Sequence, residues 1–198
     1  MKIASIDIET TGLDPRLHSI TEIGIVLGDT DSRTIHDELY LWVYPENMVW
    51  SAYCLNLHKA WLSDCMYVWD KWKKQGIEPA IPILEPVNVK AYVEEWLKNR
   101  EVKRNYIPAG KNFGSFDRQF LKQNGIDSFK HRQLDPAAYY HRKGDLVPPE
   151  LALCKQRAKE QGAPNIFDDK VAHNAIEDAR DVFWLECHGL ARFEAHYD

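Results

Sequence analysis

The N-terminal part of the chain alternates apolar and polar positions with the period of two that is typical of β-strands. Ile6 and Ile8 alternate with polar neighbours, which predicts a strand over residues 2–8. Two further apolar stretches predict strands over 20–28 and 34–43, and the turn-forming sequence GDTDS lies between them. Because short connections of this kind join antiparallel neighbours, we expect a three-strand antiparallel meander.

Beyond this region the apolar period lengthens to that of amphipathic α-helices. Apolar residues at i, i+3, i+4 and i+7 from Cys65 predict a helix that begins near Ser63, and similar spacing from Val89 predicts another. The proline-rich residues 76–86 between them predict a loop. The later predicted elements are a strand at 106–109, a helix from Ser115 to Asn124-Gly125, a strand that ends at Leu134-Asp135, a helix from Pro148-Pro149 to about Gly162, and a helix from Asn174 to the early 190s.

A meander followed by alternating helices and strands is typical of an α/β fold with a mixed central sheet flanked by helices. The chain has 198 residues, which is enough for one such domain with a substantial core, and it contains no internal repeat. We therefore expect a single domain over 1–198. Within it, residues 44–100 are a divergent, aromatic-rich segment.

The composition excludes several classes of protein. Hydrophobic residues make up 44% and charged residues 28% of the chain, which excludes a mostly disordered or collagen-like protein. No stretch approaches the roughly 18 consecutive apolar residues of a membrane-spanning helix. The first residues also lack the apolar run of a signal peptide, so we expect a cytoplasmic protein without a membrane partner.

Net charge and cysteine content limit how the protein could bind nucleic acid and make disulfides or a zinc site unexpected. The formal net charge is −5, so a nucleic-acid partner would need local basic patches or bridging metal ions. The four cysteines are scattered and form no CxxC pair. This pattern predicts reduced thiols rather than a disulfide framework or a zinc site.

Asp7 and Glu9 are two residues apart in the first predicted strand. Side chains at i and i+2 project from the same face of a strand, so the two carboxylates lie side by side. Such a pair repels unless a cation lies between its members, and oxygen ligands suit Mg²⁺ or Mn²⁺ better than zinc. A lone pair of acids is also compatible with a solvated strand end, but the Thr-Thr-Gly-Leu sequence that follows disfavours this interpretation.

Two more acidic residues are placed at predicted helix starts. Asp117 falls in the first turn of the helix from Ser115, and Asp178 falls in the first turn of the last helix, just after His173. The helix dipole favours an anion at both places, so each acid taken alone is unremarkable. The three motifs become informative only in combination.

Together they resemble the DEDDh family of 3′→5′ exonucleases, in order and in spacing over nearly the whole chain. The matching segments are DIETTGL at 7–13, NFGSFDRQFL at 112–121 and HNAIED at 173–178. The resemblance implies a ribonuclease H-like fold and hydrolysis of phosphodiester bonds at the 3′ end of single-stranded DNA or RNA, with release of nucleoside 5′-monophosphates. It implies five catalytic residues, which are Asp7, Glu9, Asp117, Asp178 and His173.

The resemblance also implies two divalent metal ions, Mg²⁺ or Mn²⁺. Asp7, Glu9 and Asp178 would hold the ion on the side of the nucleophile. Asp7 would be shared with the second ion, which Asp117 would support. His173 would be the general base, because imidazole is the side chain that changes protonation near neutral pH.

A binding surface for the 3′-terminal nucleotide is implied in the same way. Its residues would be Thr10, Thr11, Gly12, Leu13, Asn112 and Phe113. Bases further along the strand could stack on Trp50, Trp61 or Phe113, although a chain with seven tryptophans must bury several of them. The basic groups that could guide the strand are Lys98, Arg100, Lys103 and Arg104, and Lys155, Arg157 and Lys159.

The subfamily remains open. The spacing from Asn112 to Asp117 and the segment HRQLD at 131–135 resemble oligoribonuclease, which degrades very short RNA, whereas residues 7–13 resemble polymerase proofreading exonucleases. Within 131–135, Asp135 is interpreted as a turn acid before Pro136. A non-catalytic binding module on the same fold is a remote alternative because all five motif residues are present. The resemblance also leaves a homodimer open.

Overall fold

The computed structural model of the chain describes residues 1–163 and 173–195. Five strands form one mixed sheet in the order β4-β3-β2-β1-β5. The strands are β1 (Lys2–Thr10), β2 (Ile20–Asp29), β3 (Thr34–Val43), β4 (Ile83–Leu84) and β5 (Ile107–Ala109). The helices are α1 (Ala52–Leu57), α2 (Lys59–Gln75), α3 (Pro86–Asn99), α4 (Val102–Asn105), α5 (Asp117–Gln123), α6 (Ala137–Tyr140), α7 (Leu151–Glu160) and α8 (Ala175–Glu194).

The predicted antiparallel meander is confirmed. β1 pairs with β2 and β2 pairs with β3, both antiparallel, and this register places Asp7 opposite Gly24 and Glu9 opposite Glu22. The two short strands add to the sheet edges in parallel: β5 pairs with β1, and β4 pairs with β3. The predicted mixed α/β fold is therefore confirmed as well.

The two faces of the sheet are covered by different helices. Ile6 and Ile8 belong to a core that includes residues of α3 and α5, whereas Ile3 packs in a second core with residues of α7 and α8. Because side chains alternate between faces along a strand, Asp7 and Glu9 project towards the α8 side. The fold therefore places the acidic pair under the helix that carries Asp178.

Several element boundaries differ from the sequence prediction. The helix predicted from Ser63 is α2 and begins earlier, at Lys59, and the helix predicted from Pro148 is α7 and begins at Leu151. The proline-rich loop contains the two-residue strand β4, which is too short to show a period of two. The strand predicted to end at Leu134-Asp135 is reduced to one parallel bridge between Ala109 and Leu134.

The predicted caps have different outcomes. Asn174 caps α8, because its side chain accepts a hydrogen bond from the backbone N–H of Glu177 at 3.4 Å. Ser115 does not cap α5. Its hydroxyl donates to the backbone carbonyl of Asn112, and α5 begins at Asp117 without a side-chain cap.

Part of the aromatic-rich segment packs together with Trp42 of β3. Trp42, Tyr44, Trp61, Trp69 and Trp72 form a separate cluster around Cys65 and Ile83, in which Tyr44 stacks on Trp69. All four cysteines are buried and unpaired, as predicted. Among the helices of the described residues, none combines the length and the apolar character needed to cross a bilayer.

Candidate active site

The acidic site lies where β1 passes beneath the start of α8. Gly24, the partner of Asp7 on β2, allows this approach, because a Cβ there would lie 2.2 Å from the carbonyl oxygen of Ala175. Backbone atoms cannot yield to such a contact as a flexible side chain can. The absence of a side chain at Gly24 therefore lets the first turn of α8 bring Asp178 over Asp7.

Three carboxylates meet at this point. Asp7, Glu9 and Asp178 each offer one oxygen atom, and these atoms all lie within 4.8 Å of one another. The donor set contains oxygen only, which suits a hard divalent cation such as Mg²⁺ or Mn²⁺. These residues come from β1 and α8, so the full chain is needed to assemble them.

Asp117 approaches the same site from the other side of β1. β5 pairs with β1 only as far as Ser5, and beyond that point the N–H of Ile8 donates to Asp117 Oδ1 at 3.1 Å. Asp117 is buried at the start of α5. A cleft of about 230 Å³ is lined by all four acids together with Ile8, Lys111, Asn112, Phe116, Leu151 and His173.

The cleft is electrostatically unfavourable for carboxylates. Burial raises the pKa of Asp7 well above its usual range, and the charges of Asp117, Glu9 and Asp178 raise it further. Burial also raises the pKa of Asp117 to about 7 and that of Glu22, behind the site, to about 7. These acids must either retain protons at neutral pH or be neutralised by cations.

His58 is a residue of this site that the sequence did not identify. It is buried at the end of α1, and its Nε2 lies 3.2 Å from Glu9 Oε2. The sequence signal was the segment LNLH at 55–58, which resembles a substrate-side segment of the family only loosely. In the structure His58 contacts a candidate metal ligand, which it can hold in position.

A second network missed from the sequence connects α8 to the sheet. Tyr40 Oη donates to Glu22 Oε2 at 2.7 Å and accepts from Trp42 Nε1 at 2.7 Å and Asn174 Nδ2 at 2.8 Å. Asn174 therefore caps α8 and also attaches its first turn to β3. This attachment fixes the position of Asp178 relative to β1.

His173 lies on the rim of the cleft. It is exposed, immediately precedes the cap of α8, and has a left-handed backbone conformation with φ of +50°. A non-glycine residue in this region is uncommon and is found more often at functional sites. The imidazole is therefore next to the acidic cluster and accessible from solvent.

Some of the residues predicted to bind the terminal nucleotide are exposed beside the cleft, and others are buried. Leu13 is 78% exposed and Asn112 is exposed on the cleft wall. Thr10 and Thr11 are buried, and their hydroxyls donate to the backbone carbonyls of Gly12 and Val49 at 2.8 and 2.6 Å. These two threonines therefore hold the backbone that follows β1 in place by hydrogen bonds.

Gly12 and Phe113 are the remaining residues of the predicted surface. A Cβ at Gly12 would lie 2.3 Å from the ring of His18, so packing inside the chain favours glycine here, and its contact with a nucleotide stays a prediction. The expectation for Phe113 needs correction. Phe113 is fully buried and packs edge-to-face on Phe129, so its ring cannot stack on a base. Phe116 lines the cleft instead.

The other candidate contacts lie elsewhere. Trp50 is half-buried beside His58 and Trp61, and Trp61 belongs to the aromatic cluster of α2. Lys155 and Arg157 are buried in ion pairs with acidic residues of the chain, so neither is available to guide a strand. The remaining predicted guides are Lys159 on α7, which is half-buried, Arg100, which pairs with Asp37, and Lys98, Lys103 and Arg104, which are exposed.

Comparison with known proteins supports the interpretation of this acidic cleft as the active site of a nuclease. A family model described as exonuclease matches residues 4–66, which include Asp7 and Glu9. No protein of curated function matches the chain significantly. The chain is similar in structure to the nuclease domain of 3′hExo, a DEDDh family member solved with rAMP, with a TM-score of 0.64 and 19% identity over 96% of this chain and 92% of that one.

Two further solved structures have the same fold. A 3′-exonuclease that recognises the 3′ end of a histone mRNA stem-loop has a TM-score of 0.63 and 17% identity, over 96% of this chain and 82% of that one. E. coli ExoI, in a zinc-bound complex with single-stranded DNA, has a TM-score of 0.64 and 14% identity. That comparison covers 100% of this chain but 42% of ExoI.

Proposed function

We propose that this chain is an exonuclease that hydrolyses the terminal phosphodiester bond at the 3′ end of single-stranded DNA or RNA, because an exonuclease family model matches residues 4–66 and the chain has the fold of a DEDDh nuclease domain. The observation that carries the proposal is the convergence of Asp7, Glu9 and Asp178 within 4.8 Å, with Asp117 on the same cleft. Four acids in one partly desolvated cleft are unfavourable unless cations neutralise them. The same cations would also neutralise the charge of a bound phosphodiester.

The donor set fits two divalent ions, Mg²⁺ or Mn²⁺. Asp7, Glu9 and Asp178 would hold one ion, and Asp117 would support the second on the other side of Asp7. When bound, such ions neutralise the phosphate and the charge that develops on the leaving oxygen. The raised pKa values of Asp7 and Asp117 support this assignment, because burial disfavours the charged carboxylate and a bound cation would favour it.

The proton chemistry is assigned to His173. A water oxygen attacks the terminal phosphorus, the bond from phosphorus to the 3′-oxygen breaks, and a nucleoside 5′-monophosphate leaves the shortened strand. His173 accepts one proton of the water, and the 3′-oxygen that leaves phosphorus takes a proton from solvent, so the shortened strand ends in a 3′-hydroxyl. The accessible position of His173 on the cleft rim supports this role.

The substrate class is supported by the relatives and by the surface beside the cleft. The structural neighbours were solved with single-stranded DNA or with an mRNA stem-loop. In this chain, Leu13 presents an exposed apolar side chain just after the acidic pair, and Asn112 is on the cleft wall. We propose that these two residues contact the terminal nucleotide.

One experiment tests the direction of strand degradation and its dependence on metal ions. A 5′-labelled single strand, as DNA and as RNA of graded lengths, is incubated with Mg²⁺, Mn²⁺ or EDTA. We expect a ladder that shortens from the 3′ end with either ion, no reaction in EDTA, and a block by a 3′-phosphate. Cleavage of a circular single strand, or full activity in EDTA, would contradict the proposal.

The role of His173 is tested by His173→Gly. Glycine accepts the left-handed backbone at this position, so the substitution removes the imidazole without adding strain. We expect the turnover rate to fall by about 10²–10⁴-fold, with metal-dependent stabilisation unchanged. Added imidazole should restore part of the rate, whereas near-normal turnover of the variant would show that His173 has another role.

A further inference from the structure

Lys111 is a cation in the wall of an otherwise acidic cleft. It is the one lysine or arginine among the described residues that line the cleft with Asp7 and Asp117. Its side chain is 10% exposed, although lysine side chains are seldom buried to this degree without a pairing partner. The cost of desolvating an ammonium group calls for an explanation.

The surroundings hold Lys111 by one hydrogen bond and one long ion pair. Lys111 Nζ donates to the side-chain oxygen of Asn112 at 2.5 Å, and the neighbouring carboxylate oxygen of Asp135 lies 3.8 Å away, which is beyond hydrogen-bond distance. An ammonium group has three N–H donors. Within the described part of the chain, the amide of Asn112 is the single acceptor in hydrogen-bond contact with Lys111.

Asp135 is occupied mainly in holding the loop that carries Lys111. Its two carboxylate oxygens accept the backbone N–H groups of Asn112 and Ala137, both at 2.9 Å. Asn112 itself has a left-handed backbone with φ of +61°. The loop is therefore fixed in an uncommon conformation that places Lys111 and Asn112 together on the cleft wall.

The charge balance of the cleft points to an anionic ligand. Two divalent cations would cancel the charge of the four carboxylates, so a phosphodiester that enters the metal-loaded cleft would bring one uncompensated negative charge. We propose that Lys111 Nζ supplies the matching positive charge and binds a nonbridging oxygen of the scissile phosphodiester. This inference rests on the proposed exonuclease function and adds a substrate-binding residue to it.

The test compares Lys111→Met with Lys111→Arg in the full chain. Methionine keeps the length and apolar character of the stem, and arginine keeps the charge. For Lys111→Met we expect kcat/KM on a single-stranded oligonucleotide to fall by about 10-fold or more, as for a lost charge-assisted hydrogen bond. The slope of log kcat/KM against log salt concentration should decrease in magnitude by about 0.7, which corresponds to one lost phosphate contact.

Lys111→Arg should keep the wild-type salt slope and recover part of the rate. The matched control is Lys90→Met, which removes an exposed lysine on α3 and should leave rate and slope unchanged. Thermal midpoints and the Mn²⁺ dependence of those midpoints are measured for every variant. These readouts distinguish a folding defect or a changed metal site from a lost phosphate contact.

Three outcomes would overturn the inference. Lys111→Met could retain the wild-type rate and salt slope, or it could lose rate with an unchanged slope and weaker Mn²⁺ stabilisation, which would place Lys111 in the metal site. In both cases the wild-type protein still shortens the strand, so the proposed function survives. If the wild-type protein does not shorten the strand, the proposed function fails and the inference fails with it.

Discussion

Asp7 has the least favourable electrostatic position of the residues in the cleft. It is opposite Gly24, next to Glu9 and below Asp178, and burial together with four neighbouring acids raises its pKa. Its negative charge therefore destabilises the metal-free fold and becomes favourable only when a cation is bound. The charge of Asp7 therefore favours metal binding but lowers the stability of the metal-free protein.

The substitution Asp7→Asn removes this charge, so its effects on stability and on metal binding can be measured separately. In EDTA at pH 8, we expect the variant to melt at least about 2–4 °C above the wild type, which is the shift produced by about 1 kcal/mol in a chain of this size. With Mg²⁺, the variant should lose strand degradation and most of the stabilisation by metal. Thermal melts with and without Mg²⁺ measure both effects.

The control for this experiment is Asp64→Asn, which changes an exposed acid on α2. It should match the wild type in EDTA and in Mg²⁺. A metal-free midpoint for Asp7→Asn at or below that of the wild type would contradict the electrostatic account of the cleft.

At the scale of elements, the site depends on how closely α8 approaches the sheet. Gly24 permits the approach, and the bonds from Asn174 to Tyr40 and to the first turn of α8 hold it. Asp178 is carried by this turn, so the distance between Asp178 and Asp7 follows from the packing of α8 on β2. The packing of α8 on β2 therefore determines whether the carboxylates of β1 and α8 are close enough to bind one metal ion.

Gly24→Ala should damage both stability and the metal site. The new methyl group would meet the backbone of Ala175, so we expect a loss at or above the upper end of the roughly 1–3 kcal/mol that overpacking costs. Displacement of α8 should also weaken Mn²⁺ binding. Urea unfolding and a Mn²⁺ titration of the folded variant measure the two losses.

Gly76→Ala is the matched control for this substitution. Gly76 has φ of +71° at the end of α2, and a Cβ there would have no atom within 4 Å. It should cost about 1–2 kcal/mol from backbone strain alone and leave Mn²⁺ affinity unchanged. Equal Mn²⁺ affinity in Gly24→Ala and the wild type would show that the approach of α8 does not set the metal site.

At the scale of the whole molecule, the buried acids couple stability to pH. Burial raises the pKa of Glu22 and of Asp117 to about 7 each, well above the values that they have in an unfolded chain. The folded state therefore binds more protons than the unfolded state between pH 4 and pH 7, and its stability falls as pH rises through this interval.

The consequence for the metal-free protein is a stability that is highest near pH 4–5 and declines towards pH 7–8, apart from the effects of other groups. Mg²⁺ should add little stability at the acidic end and most at the alkaline end, because it binds the deprotonated carboxylates. Urea unfolding in EDTA and in Mg²⁺ across this range measures the difference. A gain from Mg²⁺ that is independent of pH would contradict the coupling.

Glu186 provides an independent test of the same linkage, away from the cleft. It is fully buried on α8, and burial raises its pKa to about 8. The carboxyl must ionise in the unfolded chain near pH 4.5 but not in the folded chain until about pH 8. Its contribution therefore lowers stability progressively between these two values.

Glu186→Gln should match the wild type near pH 4 and exceed its stability at pH 9 by a few kcal/mol, as the shifted pKa requires. Urea unfolding at the two pH values measures this gain. Glu95→Gln, on the exposed surface of α3, is the control and should show no gain at either pH. A Glu186→Gln protein that is no more stable than the wild type at pH 9 would show that the buried carboxyl is already compensated.

The local parts of this protein could be predicted from the sequence. The period of two identified the three meander strands, and the side-chain chemistry of Asn174 identified the start of α8. The i, i+2 spacing alone placed Asp7 and Glu9 on one face. The motifs around Asp7, Asp117 and Asp178 together gave the resemblance to the DEDDh exonucleases, because each motif is a pattern of neighbouring residues.

Contacts between segments far apart in the chain could not be predicted before the fold was known. Asn174 and Tyr40 are 134 positions apart, and nothing in either local sequence indicates their hydrogen bond. The position of His58 beside Glu9, the burial of Phe113 and the position of Lys111 in the cleft have the same origin. Periodicity shows which side of an element is buried, whereas packing determines which residue of another element meets it, because that choice depends on the shape and volume of the whole core.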